Sequence, residues 1–416
     1  MSSQKTHVLY VAEFSTGGSV ESLLTLVNGL DRSAYDATIL FYTMPAPATR
    51  ERLASTGASV IALRPYSPGA EAQPRFRKRN LQARVGRVFG NTAQRFYASV
   101  KFLLHLLRFR RAAYRGIRRT IRELKPDLVH LNNGADTDAP GILAARVAGI
   151  PAVCHTRTFG RLPHAGVLVS RSVSRFICIS SAVRDTLVSQ GVAEDRCVVV
   201  PNAVDLSRFD SRQVRAAPIR GEFGWDDTAM VFALVGRVVS WKGQDFFIRA
   251  IAEARARDPS IRGLIVGDGD STAASGAFRA NLESMIAELG LADAVAFSGH
   301  RSDIPEIMKG ADVIVCASSQ PEPFGRVIIE SMAVGTPVIA TDAGGARDII
   351  TDGVNGLLVP LRDSRALAQA MLRLSRDKGL AARLCQQAEK SVAENYTVRN
   401  HVDRVCAIYR GVLEEN

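Results

Sequence analysis

Several kinds of segment are missing from this chain of 416 residues, and each absence argues against a class of function. No apolar run reaches the ~18 residues expected of a membrane-spanning helix. Residues Met1 to Thr6 lead straight into a strand pattern without a signal peptide, so a cytoplasmic protein is expected. The six cysteines (154, 178, 197, 316, 385 and 406) include no CxxC pair, which reads as buried free thiols in a reducing compartment. Structural zinc is not expected, and neither an Asp-x-Asp nor a carboxylate cluster marks a divalent metal. The turn after the first strand has the spacing of neither GxGxxG nor a P-loop with its Lys-Ser/Thr, and no aromatic-interleaved RNA motif or recognised DNA-binding module is present.

Acidic residues are missing locally. From Ala72 to Arg122 there are 15 Lys/Arg and no Asp or Glu, although the whole chain carries a net charge of only +12. The rest of the chain is therefore slightly acidic, and the basicity is a local device. Within this stretch Phe96, Val100, Leu103, Leu107, Tyr114, Ile117 and Ile121 recur at roughly helical spacing with arginines interleaved. The pattern predicts one amphipathic basic helix after an irregular loop of residues 64–91. Its two readings are a helix packed on a sheet with a solvated outer face, or a dock for an anionic membrane surface.

What the chain has is repeated strand–helix alternation, in both halves. The length suits two domains, and the expected architecture is α/β, with two Rossmann-like, doubly wound parallel sheets facing across a cleft. The expected boundaries are 1–205, 206–395 and a closing helix, 396–416, that crosses back to the first domain. Ligands of such folds bind at the carboxyl ends of the strands. The first strand, His7 to Ala12, ends in a turn containing Gly17 and Gly18, where a backbone can approach a ligand closely. A later strand ends at His155, a candidate for facing the cleft. In the second half, Met230–Val235 runs into Arg237 and Lys242, two cations without a local acidic partner. Such a pair can neutralise a diphosphate that gains charge as it leaves.

The most informative segment runs from Gln320 to Ala333. Pro321 and Pro323 keep it out of a helix at first, and Gly325 then opens a helix-competent run, Val327 to Met332. A loop feeding a helix N-terminus attracts phosphate through unpaired N–H groups and the helix dipole. Glu322 is expected before the helix and Glu330 two turns along it. Two carboxylates so separated suit an elongated ligand with hydroxyls at both ends and anionic charge between them, as in a nucleotide sugar.

Taken in order, these segments resemble glycosyltransferase family 4, of GT-B architecture. The resemblance is carried by Gly17-Gly18, Pro126-Asp127-Leu128-Val129-His130, Pro201-Asn202-Ala203-Val204-Asp205, Gly236-Arg237 with Lys242-Gly243, Gly267-Asp268-Gly269, Glu322-Pro323-Phe324-Gly325 through Glu330, and Gly344-Gly345. It implies a retaining transfer of a hexose-type sugar from a UDP- or GDP-linked donor, with no cofactor and no required metal. Glu322 would contact the hexose and Glu330 the ribose. Arg237 and Lys242 would hold the diphosphate, with help from the backbone of Gly325, Arg326 and Val327. Phe324 belongs to the same donor motif, and Gly17 and Gly18 would line the donor-phosphate and acceptor side. His155 matches the family's cleft histidine. Asn202, Gly267, His300 and Arg301, in turns at strand ends, complete the candidate set.

Three positions depart from the family pattern. Val20 stands where a glutamate is usual, with Glu21 one place late. Ala203 replaces a glycine in a turn expected to favour φ > 0. Arg326 replaces a residue that is often apolar. The acceptor side, with its basic stretch, suggests a saccharide or lipid-linked saccharide acceptor in envelope, exopolysaccharide or lipopolysaccharide assembly, at the inner face of the cytoplasmic membrane. The competing readings are a GT-B nucleotide-sugar epimerase, an inactive relative, or a nucleic-acid- or membrane-binding protein built on the arginine-rich segment. No nucleic-acid partner is expected.

Overall fold

The structure is a computed structural model that describes residues 5–13, 18–65, 97–106, 110–269 and 273–415. It divides into two units. Unit 1 comprises Met1–Pro201 with His401–Asn416, and unit 2 comprises Asn202–Asn400. The sequence reading set these boundaries at 205 and 395.

Unit 1 is built on seven parallel strands: β1 (Thr6–Ala12), β2 (Tyr35–Phe41), β3 (Ser59–Ala62), β4 (Leu128–Leu131), β5 (Ala152–Thr156), β6 (Arg175–Cys178) and β7 (Cys197–Val199). Their order is β3-β2-β1-β4-β5-β6-β7. The connecting helices are α1 (Gly18–Asn28), α2 (Pro47–Ala54), α3 (residues 97–106), α4 (Arg111–Leu124), α5 (Ala139–Ala148), α6 (His164–Ser170) and α7 (Ser181–Ser189). β4 shows why the sheet is central. All four of its residues are buried, as expected of a parallel strand covered on both faces. Its register pairs Leu9 with Val129 and Tyr10 with His130.

Unit 2 has six parallel strands: β8 (Met230–Val235), β9 (Ile261–Val266), β10 (Val295–Gly299), β11 (Val313–Cys316), β12 (Val338–Thr341) and β13 (Leu357–Val359), in the order β10-β9-β8-β11-β12-β13. The chain enters through the short helices α8 (Leu206–Phe209) and α9 (Ile219–Glu222). It then alternates through α10 (Gln244–Arg255), α11 (Ala273–Glu288), α12 (Ile304–Gly310), α13 (Arg326–Ala333) and α14 (Ala346–Ile349), and closes with α15 (Ser364–Arg376), α16 (Lys378–Asn395) and α17 (Val398–Glu414). From His401 onward, α17 belongs to unit 1. Local chemistry sets the helix starts. The Asp363 side chain accepts from the Ala366 N–H to cap α15, and Ser180 caps α7 in the same way. Phe247, Ile248 and Ile251 of α10 are fully buried with Phe232 and Ile265 of the sheet, each contributing roughly 1.5–3 kcal/mol.

In both sheets the strand order reverses direction between two central neighbours, β1 and β4 in unit 1, β8 and β11 in unit 2. Diverging loops at such a switch point leave a crevice beyond the strands' carboxyl ends. The segments that end β8 and β11 are the ones the sequence marked, Arg237–Lys242 and Glu322–Gly325.

The basic stretch needs a correction where it is described. Residues 97–106 and Arg111–Leu124 are two helical segments with a bend at Arg110, not one continuous helix. Within α4, Ile117, Thr120 and Ile121 are buried. Arg110 pairs with Glu13 at 3.3 Å and Arg119 with Glu123 at 2.7 Å. Val100, Leu103 and Leu104 of α3 are exposed. Residues 72–96, half of the stretch, lie outside the described residues, as does Gly17.

Candidate active site

In unit 2 the loop after β8 and the loop after β11 are clamped together. Ser319 donates its N–H to the Trp241 carbonyl at 2.9 Å, and within the segment after β8 the Gln244 side-chain amide donates to the Arg237 carbonyl at 2.8 Å. Gly243 makes the approach feasible. Its φ is +74°, and a Cβ there would sit 1.9 Å from the Ala317 carbonyl oxygen, closer than any side chain tolerates. Gly344 does the same from the loop after β12. At φ +61°, a Cβ on it would sit 2.1 Å from the Glu322 carbonyl oxygen. Gly345 N–H donates to that oxygen at 2.9 Å, so the backbone of Glu322 is fixed from the far side. Gly267 (φ +127°) packs its Cα against the Gly236 carbonyl.

This framework brings Lys242 Nζ to 2.7 Å from Glu322 Oε1. Both side chains are largely buried, at 16% and 11% exposure. Ser318 Oγ also donates to Oε1, and Cys316 Sγ approaches it at 3.4 Å. Burial pushes the Glu322 carboxyl up, but the Lys242 charge and the hydrogen bonds from Lys242, Ser318 and Cys316 outweigh it and hold the group below its ordinary value. Glu322 is therefore a charged carboxylate at neutral pH. Burial, and then the adjacent Glu322 charge, push the Cys316 thiol up to about 12, so it stays protonated and can donate. Lys242 also lies 4.6 Å from the Trp241 ring centroid. Arg237 is exposed and makes no ion pair among the described residues.

Gly325 precedes α13 in the left-handed region, φ +97°, with no side-chain cap. The first N–H groups of the helix are thus available to an anion. Because α13 begins at Arg326, Glu330 lies one turn along it, not two. It is buried and bonds Arg326 at 2.8 Å. Val327 is partly exposed on the same turn. Phe324 is buried against Tyr396, ring centroids 6.3 Å apart, so only its backbone is placed to meet a ligand.

The remaining candidates are more dispersed. His300 donates its backbone N–H to Asp268. Arg301 pairs with Asp303 at 2.7 Å and with Glu222, a surface brace without a spare charge. Asn202 is buried where unit 2 begins. Gly18 is exposed at the start of α1. Glu21 pairs with Arg52 at 2.7 Å, a structural contact. Ala203 has no positive φ; among the described non-glycine residues only Lys125 and Arg362 do. The expected strain at that turn is absent.

His155 in unit 1 is fully buried in β5. Its ring stacks on His401 at 5.8 Å and lies 5.4 Å from His130. The polar group beyond it at the strand end is Arg157, whose guanidinium donates to Asn132 Oδ1 at 3.0 and 3.1 Å and to His155 Nδ1 at 3.2 Å. Arg157, Ser318 and Cys316 escaped the sequence reading. The signal for Ser318 was its position two residues beyond Cys316, the end of β11; nothing in the sequence marked Asn132 as the partner of Arg157. Among the described residues no group of three His, Cys, Asp or Glu side chains is arranged to hold a metal ion, and no helix is long and apolar enough to cross a membrane.

Comparison with known proteins agrees with this layout. The family described as Glycosyltransferase Family 4 matches residues 16–208, and Glycosyl transferases group 1 matches residues 217–391. A D-inositol 3-phosphate glycosyltransferase of Saccharomonospora viridis is 30% identical over 69% of this chain and 70% of its own length. An alpha-D-kanosaminyltransferase of Streptomyces kanamyceticus is 32% identical over 50% of this chain and 53% of its own. The chain spans about half the length of several of the curated relatives it matches. Among solved structures, Anabaena Alr3699/HepE in complex with UDP superposes with a TM-score of 0.77 at 23% identity, covering 98% of this chain and all of that one. A glycosyltransferase from Rickettsia africae gives 0.78 at 20% identity over 99% of this chain and all of its own. The fold is GT-B.

Proposed function

Because the chain belongs to glycosyltransferase family 4, we propose that it transfers a hexose-type sugar from a nucleoside diphosphate sugar to an acceptor hydroxyl, with retention at the anomeric carbon. The observation that carries this reading is the buried Lys242–Glu322 pair at the switch point of unit 2, beside the exposed Arg237 and the uncapped start of α13. Arg237, Lys242 and the helix N–H groups meet a diphosphate. Glu322 meets the sugar, and Glu330, on exchanging Arg326 for a diol, meets the ribose. The solved complexes of Anabaena Alr3699/HepE with UDP and with UDP-glucose support a uridine donor.

In the reaction the bond between the anomeric carbon and the diphosphate oxygen breaks while the acceptor oxygen bonds to the same face of that carbon. The transition state is oxocarbenium-like, as in glycoside chemistry. Glu322 is a poor nucleophile, because its charge is already shared among Lys242 and two further donors. Front-side attack is therefore favoured, with the departing phosphate taking the acceptor's proton. Lys242 and Arg237 act most strongly as charge accumulates on that phosphate; no metal is needed for this role.

The acceptor we propose is a saccharide or lipid-linked saccharide at an anionic membrane surface, in envelope or exopolysaccharide assembly. The acid-free Ala72–Arg122 stretch and the exposed Val100, Leu103 and Leu104 support it. The test is a panel of nucleotide sugars scored by thermal shift and by slow release of nucleoside diphosphate without acceptor. One donor should stabilise the protein, and the effect should vanish in Glu330→Ala and Lys242→Ala. Silence across UDP-, GDP- and ADP-linked donors would overturn the reading. For the membrane part, neutralising the arginines of residues 72–122 should abolish binding to anionic liposomes; unchanged binding would reject it.

A further inference from the structure

The two oxygens of Glu322 are not equivalent. Oε1 receives three protein donors, Lys242 Nζ at 2.7 Å, Cys316 Sγ at 3.4 Å and Ser318 Oγ. Oε2 receives none among the described residues, and it is not among the sealed polar atoms that lack a partner, unlike Gln244 Oε1 and Asp245 Oδ1 nearby. One oxygen is thus saturated by the protein and the other is left to whatever enters the site.

The donors to Oε1 are themselves held. Cys316 is the last residue of β11 and Ser318 lies two residues on; they are 8% and 1% exposed. The Ser318 carbonyl accepts from Thr341 Oγ1, at the end of β12, at 3.1 Å. Next to it, the Ser319 carbonyl accepts from Arg362 Nε at 2.9 Å, and the Ser319 N–H donates to the Trp241 carbonyl at 2.9 Å. The side chains of Thr341 and Arg362 and the backbone carbonyl of Trp241 therefore fix the Ser318–Ser319 backbone, and the buried Ser318 hydroxyl has little freedom to turn elsewhere.

We propose that Ser318 and Cys316 are positioning residues that lock Glu322 through Oε1, so that Oε2 alone accepts a hydrogen bond from one hydroxyl of the transferred sugar. The inference rests on the donor reading above. A single fixed acceptor reads a single hydroxyl, and a site built to bond a hydroxyl discriminates strongly against a ligand that lacks it. The lock also keeps the carboxylate charged where burial opposes charge. Without Ser318 one stabilising bond is lost, and the carboxyl protonates at higher pH.

The experiment compares affinities for UDP and UDP-glucose, and for GDP and GDP-mannose, in wild type, Ser318→Ala, Ser318→Thr and Cys316→Ala, with the pH profile of donor hydrolysis. For the donor that wild type selects, Ser318→Ala should bind the nucleoside diphosphate within about twofold of wild type. It should lose on the order of tenfold of the extra affinity or rate contributed by the sugar, and the acid limb of its profile should move to higher pH. Ser318→Thr should restore both, and Cys316→Ala should show a smaller loss of the same kind. Equal losses for diphosphate and sugar nucleotide would mean a general structural role and overturn the proposal. Wild-type selectivity that persists unchanged in Ser318→Ala would overturn it while leaving the donor reading intact. Wild type that distinguishes no sugar nucleotide from buffer would overturn the donor reading, and the proposal with it.

Discussion

Two polar clusters, the histidines of unit 1 and the Lys242–Glu322 pair of unit 2, differ in depth and in charge: the imidazoles are at most 3% exposed, the pair 16% and 11%. In unit 1, His130 donates through Nδ1 to Tyr409, whose hydroxyl donates to Tyr10 at 3.2 Å. His401 donates through Nδ1 to the Pro201 carbonyl at 2.7 Å. The Nε2 atoms of His130, His155 and His401 have no partner among the described residues. Burial, reinforced by the Arg157 guanidinium, depresses all three imidazoles, His401 to about 4. They are neutral at physiological pH. In unit 2 the largely buried pair at the end of β8 and β11 is ionic, Lys242 and Glu322 each compensating the other. The difference separates two uses of buried polarity. Neutral rings specify packing between β1, β4, β5 and α17, whereas a compensated ion pair holds charge at the carboxyl edge of the second sheet, where the proposed donor would sit.

The strongest way to break the comparison is to remove one ion. Lys242→Ala leaves Glu322 buried and uncompensated, and activity should fall on the order of 10²–10³-fold, measured as donor hydrolysis or transfer. A loss below tenfold would mean that the pair is structural. Acid is the next probe. A depressed imidazole leaves the unfolded state binding more protons between its folded and ordinary values, so this contribution is complete above about 6.5 and is lost as pH falls towards 4. For His401 the loss is about 3 kcal/mol. Asp138, raised to about 7 by burial, titrates with the opposite sign in the same window, so the informative quantity is a difference. His401→Gln, which retains a donor for the Pro201 carbonyl, should flatten the acid limb of unit 1 stability relative to wild type, as followed by denaturant midpoints. An unchanged limb would remove His401 from the account.

Gly243→Ala should cost about 2 kcal/mol or more of unit 2 stability, because the added carbon meets the Ala317 carbonyl at φ +74°. It should also weaken nucleotide binding, by separating the loops after β8 and β11. The smallest effect sharpens the contrast from outside the site. Arg301→Ala removes half-buried ion pairs with Asp303 and Glu222, should cost about 1 kcal/mol, and should leave nucleotide affinity unchanged by calorimetry.

The parallel sheets were legible because buried strands such as Leu128–Leu131 are nearly continuous apolar runs between turn residues. The Gln320–Ala333 segment was legible because proline, glycine and glutamate at fixed spacing constrain the loop and α13 together. The start of α13 fell where Gly325 was expected to open it, but Glu330 lies four residues beyond Arg326, one turn rather than two. Side-chain direction was also hidden. The sequence placed His155 at a strand end, but the pleat turns it inward onto His401, which lies far away in the chain, and leaves Arg157 at the edge. The bend at Arg110 arises beside tertiary bonds to Thr137 and Glu13, which no helical periodicity encodes.

The contact of Tyr409 with Tyr10 spans 399 positions, and it orders events during synthesis. Unit 2 is one uninterrupted segment and has all its strands by the time residue 400 is made. Unit 1 begins first but finishes last, with Tyr10 and His130 uncovered until α17 emerges from the ribosome. A nascent chain therefore carries a finished second unit beside an unfinished first one. Loss of residues 401–416 would strand the seven-stranded sheet with its polar core open to water, while unit 2 remained intact.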